Sequence, residues 1–147
     1  MKISKNINRL TLHDSHFEKE IREQNNIEVL FDWAKLDNFI EGDINEFIVL
    51  GKTTLRLNGI SNEELRIFYD DHKFKVIAFP ENIGQYWNQI SYTTINDTEK
   101  YLLLDGLYDY EGKKCWAEWS LNYVSCEVEW DSFVTFNEWQ NGSLPSI

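Results

Sequence analysis

A segment near the end of the chain carries three carboxylates at alternate positions. Glu127, Glu129 and Asp131 are each two residues apart, and a β-strand would place them on one face, about 6.5–7 Å apart. Carboxylates separated by about 5–9.5 Å can serve as the catalytic pair in glycoside hydrolysis. An exposed strand face rich in acid can equally serve solubility or attract a protein partner. The pattern therefore leaves a solvated face, a protein-binding face and a catalytic pair as alternatives.

Two other segments contain residue types found in hydrolytic or metal sites. His13-Asp14-Ser15-His16 has the residues of a hydrolytic triad, but adjacent side chains on a strand point to opposite faces and cannot share one reacting atom. Asp70-Asp71-His72 lacks the Asp-x-Asp-x-Asp-Gly spacing of a calcium loop. Because Asp and Ser favour turns and strand starts, we interpret the first segment as a turn or a capped strand start and the second as a hairpin turn. We expect no catalytic residue, metal or other cofactor there.

Tryptophan residues are the remaining candidates for binding. Trp116 alternates in phase with Glu118, so both side chains are predicted to lie on the same strand face. Tryptophan is enriched among the residues that dominate protein–protein binding energy. Trp116 is therefore a candidate anchor for a partner, and packing against a second sheet is the alternative. The other tryptophans considered fall mostly at apolar-phase positions: Trp33, Trp119, Trp130 and Trp139.

Composition and charge narrow the class of partner. The net charge of −11 argues against nucleic acid, whose phosphates need clustered Lys and Arg, and against an anionic membrane. It favours a positively charged partner, such as a cationic protein surface or a metal ion, although the same charge also serves solubility. No apolar run follows the basic N-terminus, and no stretch is long enough to span a bilayer. We therefore expect a cytoplasmic protein.

The elements that must position these residues are predicted to be strands. Apolar and polar residues alternate with period two along most of the chain, with turn signals between short segments. One domain spanning residues 1–147 is predicted, mostly β and α+β at the margin. Its architecture would be an antiparallel sandwich or open barrel of about eight strands. Phe133, Phe136 and Trp139 are spaced by three, which predicts a short C-terminal helix capped by Asp131 or Ser132.

Two of the predicted strands are long. One joins residues 47–50 to residues 53–57 with a bend at Gly51. The other starts at Lys114 and continues to Asp131, with a phase change after Val124-Ser125 that is typical of a bulge or bend. Cys115 and Cys126 would then lie roughly 36 Å apart on one extended segment. That separation exceeds the reach of a disulfide, so free thiols are predicted.

Short motifs at both ends of the chain carry a resemblance. They are Leu12-His13-Asp14-Ser15 with Leu30-Phe31-Asp32-Trp33, and Trp116-Ala117-Glu118-Trp119 with Glu129-Trp130-Asp131-Ser132-Phe133. Together they resemble a group of small bacterial proteins, some of which are similar to immunity proteins of polymorphic-toxin and contact-dependent inhibition systems. The resemblance implies a protein that binds one toxin domain and blocks its active site or substrate surface. It implies no catalytic residues, and little about architecture.

The leading hypothesis from the sequence is a non-enzymatic immunity protein against a basic toxin such as a nuclease. Its acidic face would steer association with the cationic cleft of the toxin. The alternatives are a small carbohydrate-active enzyme or sugar-binding module that uses the same carboxylates and nearby tryptophans, and a structural or assembly protein. The predicted partner-binding residues are Glu118, Glu127, Glu129, Asp131, Trp116, Asp105 and Asp109.

Overall fold

The described residues fold mostly into β-strands, which make up 58% of the structure. A computed structural model describes residues 1–70, 73–81 and 83–146. Within these ranges the elements are β1 (Lys2–Ile3), β2 (Leu10–Thr11), β3 (Phe17–Glu23), β4 (Asn26–Phe31), β5 (Ala34–Leu36), β6 (Ile48–Leu50), β7 (Thr53–Asn58), β8 (Ser61–Asp70), β9 (Lys73–Ile77), β10 (Trp87–Asn96), β11 (Tyr101–Tyr110), β12 (Lys113–Asn122), β13 (Ser125–Trp130), β14 (Phe133–Thr135) and the helix α1 (Phe136–Gln140). The prediction of a mostly-β fold with a short C-terminal helix is confirmed, with more and shorter strands than expected.

The described strands form three antiparallel sheets and no closed barrel. Sheet I has the order β1-β13-β7-β4-β3, sheet II the order β10-β11-β12-β8-β9, and sheet III the order β14-β6-β5-β2. Every pairing within them is antiparallel. The prediction of antiparallel pairing is therefore confirmed.

The inner faces of the three sheets share one hydrophobic core, because alternate residues of each strand point inward. The ring of Phe17 on β3 lies 5.0 Å from that of Phe31 and 6.5 Å from that of Trp119, centroid to centroid, and so connects sheets I and II. The core includes Ile27, Val29, Leu55, Leu57 and Val128 from sheet I, and Leu65, Ile67, Leu102, Leu104, Ala117 and Leu121 from sheet II.

The predicted single strand from Lys114 to Asp131 is wrong. β12 ends in sheet II at Asn122, and β13 starts in sheet I at Ser125. The apolar phase changes because each strand must present its apolar side chains to the shared core from a different sheet. Cys115 and Cys126 are both free thiols, as predicted. They lie in different sheets, so the single-strand argument for their separation no longer applies.

The predicted continuous strand through Gly51 is also wrong, since β6 belongs to sheet III and β7 to sheet I. The Gly51 N–H donates to the Ser132 carbonyl at 2.8 Å, where the chain changes sheets. A Cβ at position 51 would lie 2.6 Å from the Ser132 Oγ. This close approach favours glycine.

The C-terminal helix begins later than the sequence predicted. Phe133 belongs to β14, which pairs with β6, and Asp131 and Ser132 do not cap the helix. Thr135 is the N-cap: its Oγ1 accepts from the Glu138 N–H at 3.3 Å, and the Glu138 carboxylate accepts from the Thr135 N–H at 3.0 Å. This capping box was present in the sequence as Thr-x-x-Glu. The helix is short, and no helix in the described ranges is both long and apolar enough to cross a bilayer.

Charged side chains lie at the edge of the core, between β3 and β8. The cross-strand partners of Glu20 and Arg22 are the buried Val29 and Ile27, so both charged residues point to the inner face of sheet I. Arg22 pairs with Glu20 and reaches across to Glu63 on β8, with Nη1 2.8 Å from Oε1. Inward-pointing charges at an edge strand also discourage pairing with other chains.

Candidate protein-binding surface

The structure divides the predicted acidic face between two sheets. Glu127 and Glu129 lie on β13 in sheet I, and Asp131 is exposed beyond the end of that strand. The remaining predicted residues lie in sheet II: Asp105 and Asp109 on β11, Trp116 and Glu118 on β12. The crossing between β12 and β13 is the reason, because it carries the two halves of the predicted strand into different sheets.

The carboxylates on sheet I are engaged by a central arginine. Arg56 on β7 stands between Glu28 and Glu127 in the strand register. Its guanidinium lies 2.8 Å from Glu28, 3.1 Å from Glu127 and 2.9 Å from Glu129. The Arg56 hydrogen bond lowers the pKa of Glu129, whereas a general acid needs a raised pKa. This arrangement therefore suits a surface ion network better than a glycosidase pair.

Sheet II presents a different outer face, defined here by two neighbouring cross-strand rows and Leu103. Its central row contains charged residues and ends at both sides in exposed apolar or aromatic side chains. Tyr92 is 67% exposed and Val76 55% exposed at these two ends. The central row is Tyr92, Asp105, Glu118, Arg66 and Val76. The second row is Leu107, Trp116, Phe68 and Phe74.

Apolar side chains cover most of this outer face. Trp116 is half-buried beside Phe68, and the Phe68 and Phe74 rings lie 5.5 Å apart, centroid to centroid. Phe74 remains 52% exposed. Contiguous exposed apolar residues on a soluble protein are typical of an interaction site. The prediction that Trp116 shares a face with Glu118 is confirmed by their alternation along β12.

Asp105 lies in the central row of the outer face of sheet II, between Tyr92 and Glu118, in an unfavourable environment. The Tyr92 backbone N–H hydrogen-bonds to its carboxylate, but burial and the neighbouring Glu118 raise the pKa of Asp105. Its Oδ1 is buried and receives no hydrogen bond from the described residues. Arg66 binds Glu118 instead, with Nη2 3.1 Å from Oε2, and its own buried Nε has no acceptor among those residues. Unsatisfied buried polar atoms of this kind cost roughly 1–3 kcal/mol each.

Asp105→Asn should consequently stabilise the isolated protein at neutral pH. A carboxyl whose pKa is raised on folding destabilises the folded state when ionised, and this cost disappears as pH falls below its ordinary value. The variant should therefore melt at a higher temperature than wild type at pH 7, and the difference should shrink towards pH 4. Thermal unfolding followed by circular dichroism at both pH values measures this. A lower melting temperature for the variant at pH 7 would contradict the assignment.

Asp109 lies at the end of the outer face rather than at its centre. Its cross-strand partner is Lys114, next to the β11–β12 turn. The structure thus brings Asp105, Trp116 and Glu118 together and leaves Asp109 at the margin.

Sequence reasoning missed seven side chains of the outer face of sheet II, four of which are aromatic or β-branched. The sequence did contain a signal for one of them. Phe68 falls out of step with Leu65 and Ile67, which face the core, so alternation along the strand places Phe68 on the outer face. Their proximity to Trp116 and Asp105 depends on strand order, which local patterns do not report. The four residues are Phe68, Phe74, Val76 and Tyr92.

The segment His13-Asp14-Ser15-His16 forms a turn, as predicted. Asp14 has a φ of 63°, in the left-handed region. The two histidines have separate partners: His13 Nδ1 lies 2.8 Å from the Ser91 carbonyl, and His16 Nδ1 lies 3.1 Å from Asp32 Oδ2. In the described part of the chain, no three His, Cys, Asp or Glu side chains are grouped as metal ligands.

The other predicted turn, Asp70-Asp71-His72, is only partly described. Residues 71 and 72 lie outside the described residues. The flanking strands β8 and β9 pair antiparallel, with Asp70 opposite Lys73.

Comparisons with protein-family models, with curated proteins and with solved structures give no significant match. The resemblance to immunity proteins therefore stays a prediction, and the outer face of sheet II is the main structural indication of function.

Proposed function

We propose that this chain is a non-enzymatic binding protein of the immunity type, which blocks a basic toxin domain, such as a nuclease, through the outer face of sheet II. The observation that supports this best is Asp105, a carboxylate beside Glu118 whose buried Oδ1 receives no hydrogen bond from the described residues. Asp105 is held at a cost to stability, and such costs are common where a residue serves function.

The outer face of sheet II fits a partner better than the outer face of sheet I does. On sheet I, the carboxylates of Glu127 and Glu129 already bind Arg56. Because a basic partner would have to replace those ion pairs, its net gain in binding free energy would be small. On sheet II, Asp105 forms no ion pair among the described residues, and Trp116 and Phe74 supply adjacent apolar area.

The proposed mechanism is occlusion of the toxin's substrate cleft. The net charge of −11 would accelerate encounter with a cationic cleft. A Lys or Arg side chain of the toxin would then bind Asp105, which supplies the hydrogen-bond donor that its buried Oδ1 lacks among the described residues. Trp116 and the aromatic residues around it would bury apolar surface and slow dissociation.

The test uses the C-terminal domain of the polypeptide encoded next to this gene. That domain is expressed in a heterologous bacterium with and without this chain, and its binding to the purified chain is followed by stopped-flow fluorescence. We expect growth inhibition that this chain relieves. Trp116→Ser should raise the dissociation rate about 10-fold or more, as for a central interface tryptophan. Asp105→Asn should weaken binding about 10-fold while stabilising the free protein.

The matched control is the triple variant Glu127→Gln, Glu129→Gln, Asp131→Asn on sheet I. It removes three negative charges and should slow association modestly, yet the dissociation rate should stay within about twofold of wild type, since these side chains lie on another sheet. If this variant dissociated faster while Trp116→Ser bound normally, the partner-binding surface would instead lie on sheet I. Failure of wild type to relieve inhibition by an inhibitory neighbour would contradict the immunity function. Turnover of a glycan by the purified chain would favour the carbohydrate-active alternative.

A further inference from the structure

A cavity of about 360 Å³ lies where three separate segments of the chain meet. It is open to solvent and distinct from the outer face of sheet II. One wall comes from the residues after β1, one from the β10–β11 turn and one from the crossing between β12 and β13. The lining residues are Ser4, Lys5, Asn6, Ile7, Asp97, Lys100, Tyr123, Ser125 and Cys126.

Two neutral polar groups line the inner part of this cavity. Tyr123 is only 5% exposed, and its buried hydroxyl has no hydrogen-bond partner among the described residues. Burial raises the pKa of Tyr123, and it raises the pKa of the Cys126 thiol to about 12. Both groups therefore keep their protons at neutral pH. Tyr123 can donate a hydrogen bond and adds no negative charge.

The mouth of the cavity carries two lysines. Neither Lys5 nor Lys100 forms an ion pair within 4.0 Å with a carboxylate of the described residues. Lys100 has a φ of 53°, an uncommon left-handed conformation for this residue type. Asp97, the one carboxylate in the lining, accepts from the Ile7 N–H at 3.0 Å and from the Asn8 N–H at 3.1 Å. With both oxygens so engaged, Asp97 anchors the wall after β1.

We propose that this cavity binds a small molecule with a carboxylate group. The Lys5 and Lys100 ammonium groups would neutralise the carboxylate. The Tyr123 hydroxyl has almost no accessible surface, so it would donate to one of the carboxylate oxygens after the ring shifts towards the cavity. Asp97 disfavours a doubly charged anion such as phosphate, because like charges at close range repel. A hydroxyl or amino group on the ligand would face Asp97. Hydroxy acids and amino acids of a few carbon atoms match this arrangement in size and charge.

The test is a titration of the full-length chain, labelled with ¹⁵N, by L-lactate, glycine, succinate and inorganic phosphate, each at constant ionic strength. We expect saturable amide shifts confined to residues 4–7, 97–100 and 123–126 with lactate or glycine, and no saturation with phosphate. Tyr123→Phe removes only the unpaired hydroxyl and should weaken binding about 10-fold. The double variant Lys5→Gln, Lys100→Gln should abolish saturation.

The matched control is Lys19→Gln, Lys114→Gln, which removes two lysines elsewhere on the surface and should leave binding unchanged. Because Lys5 and Lys100 are at the mouth, their replacement tests the site even if Tyr123→Phe alters folding. Absence of saturation with every carboxylate would overturn the proposal. So would stronger binding of phosphate than of lactate and glycine, or equal loss of binding in the Lys19 and Lys114 control. The toxin-binding proposal does not depend on any of these outcomes.

Discussion

Gly106→Ala should lower the free energy of unfolding by about 3 kcal/mol, at the upper end for the insertion of one methyl group into a packed interior. Gly106 lies in the middle of β11, opposite Ile90 on β10 and Ala117 on β12. A Cβ at this position would lie 1.8 Å from the Gln89 carbonyl oxygen and 3.0 Å from the Ile90 Cα. These are backbone atoms, so no side-chain rotation can relieve the overlap, and β10 must move.

Gly112→Ala in the same hairpin is the matched control. Gly112 has a φ of +81°, and a Cβ added there would meet no described atom within 4 Å, so only the backbone conformation opposes alanine. That cost is about 1–2 kcal/mol. Urea denaturation of both variants measures the contrast. Equal stability of Gly106→Ala and wild type would show that β10 and β11 can separate without cost, which contradicts the tight packing seen here.

Glu63→Ala should lower the free energy of unfolding by about 2 kcal/mol, because it leaves the buried Trp119 Nε1–H without an acceptor and removes one carboxylate partner of Arg22. The Glu63 carboxylate accepts from the Trp119 Nε1 at 2.7 Å and from Arg22 Nη1 at 2.8 Å. Trp119 is fully buried in β12, while the Arg22 guanidinium stacks 4.3 Å above the centre of the Phe79 ring. Glu63 therefore connects sheet II to the edge strand of sheet I.

Two variants separate the roles of charge and hydrogen bonding at this position. Glu63→Gln keeps an acceptor for Trp119 but loses the negative charge that binds Arg22. The decrease in its free energy of unfolding should therefore lie between zero and that of Glu63→Ala. Glu64→Ala changes the next residue, whose carboxylate is half-exposed and lies 3.5 Å from Arg66. A loss of about 0.5 kcal/mol or less is typical of such a surface pair. If Glu63→Ala lowered the free energy of unfolding no more than Glu64→Ala, the contacts of Glu63 with Trp119 and Arg22 would contribute nothing to stability.

Local patterns in the sequence determined the class of fold. Alternation of apolar and polar residues follows from the geometry of a strand, so β4, β7, β11 and β12 could be located without the tertiary structure. The position of Trp116 on the same face as Glu118 was predicted for the same reason. Thr135 and Glu138 also indicated the helix start, although the spacing of Phe133, Phe136 and Trp139 suggested an earlier one.

Only the tertiary structure decided which strands are neighbours. A change of apolar phase after Val124 is compatible with a bulge or with a crossing to another sheet, because both reverse the side that faces the core. The crossing sends Glu127 and Glu129 to Arg56 in sheet I, and it leaves Asp105 and Glu118 beside Tyr92 and Arg66 in sheet II. Strand order comes from long-range packing of the core, which no short sequence window contains. The net charge of the chain could therefore be counted from its sequence, whereas the cation that each carboxylate binds depended on the fold.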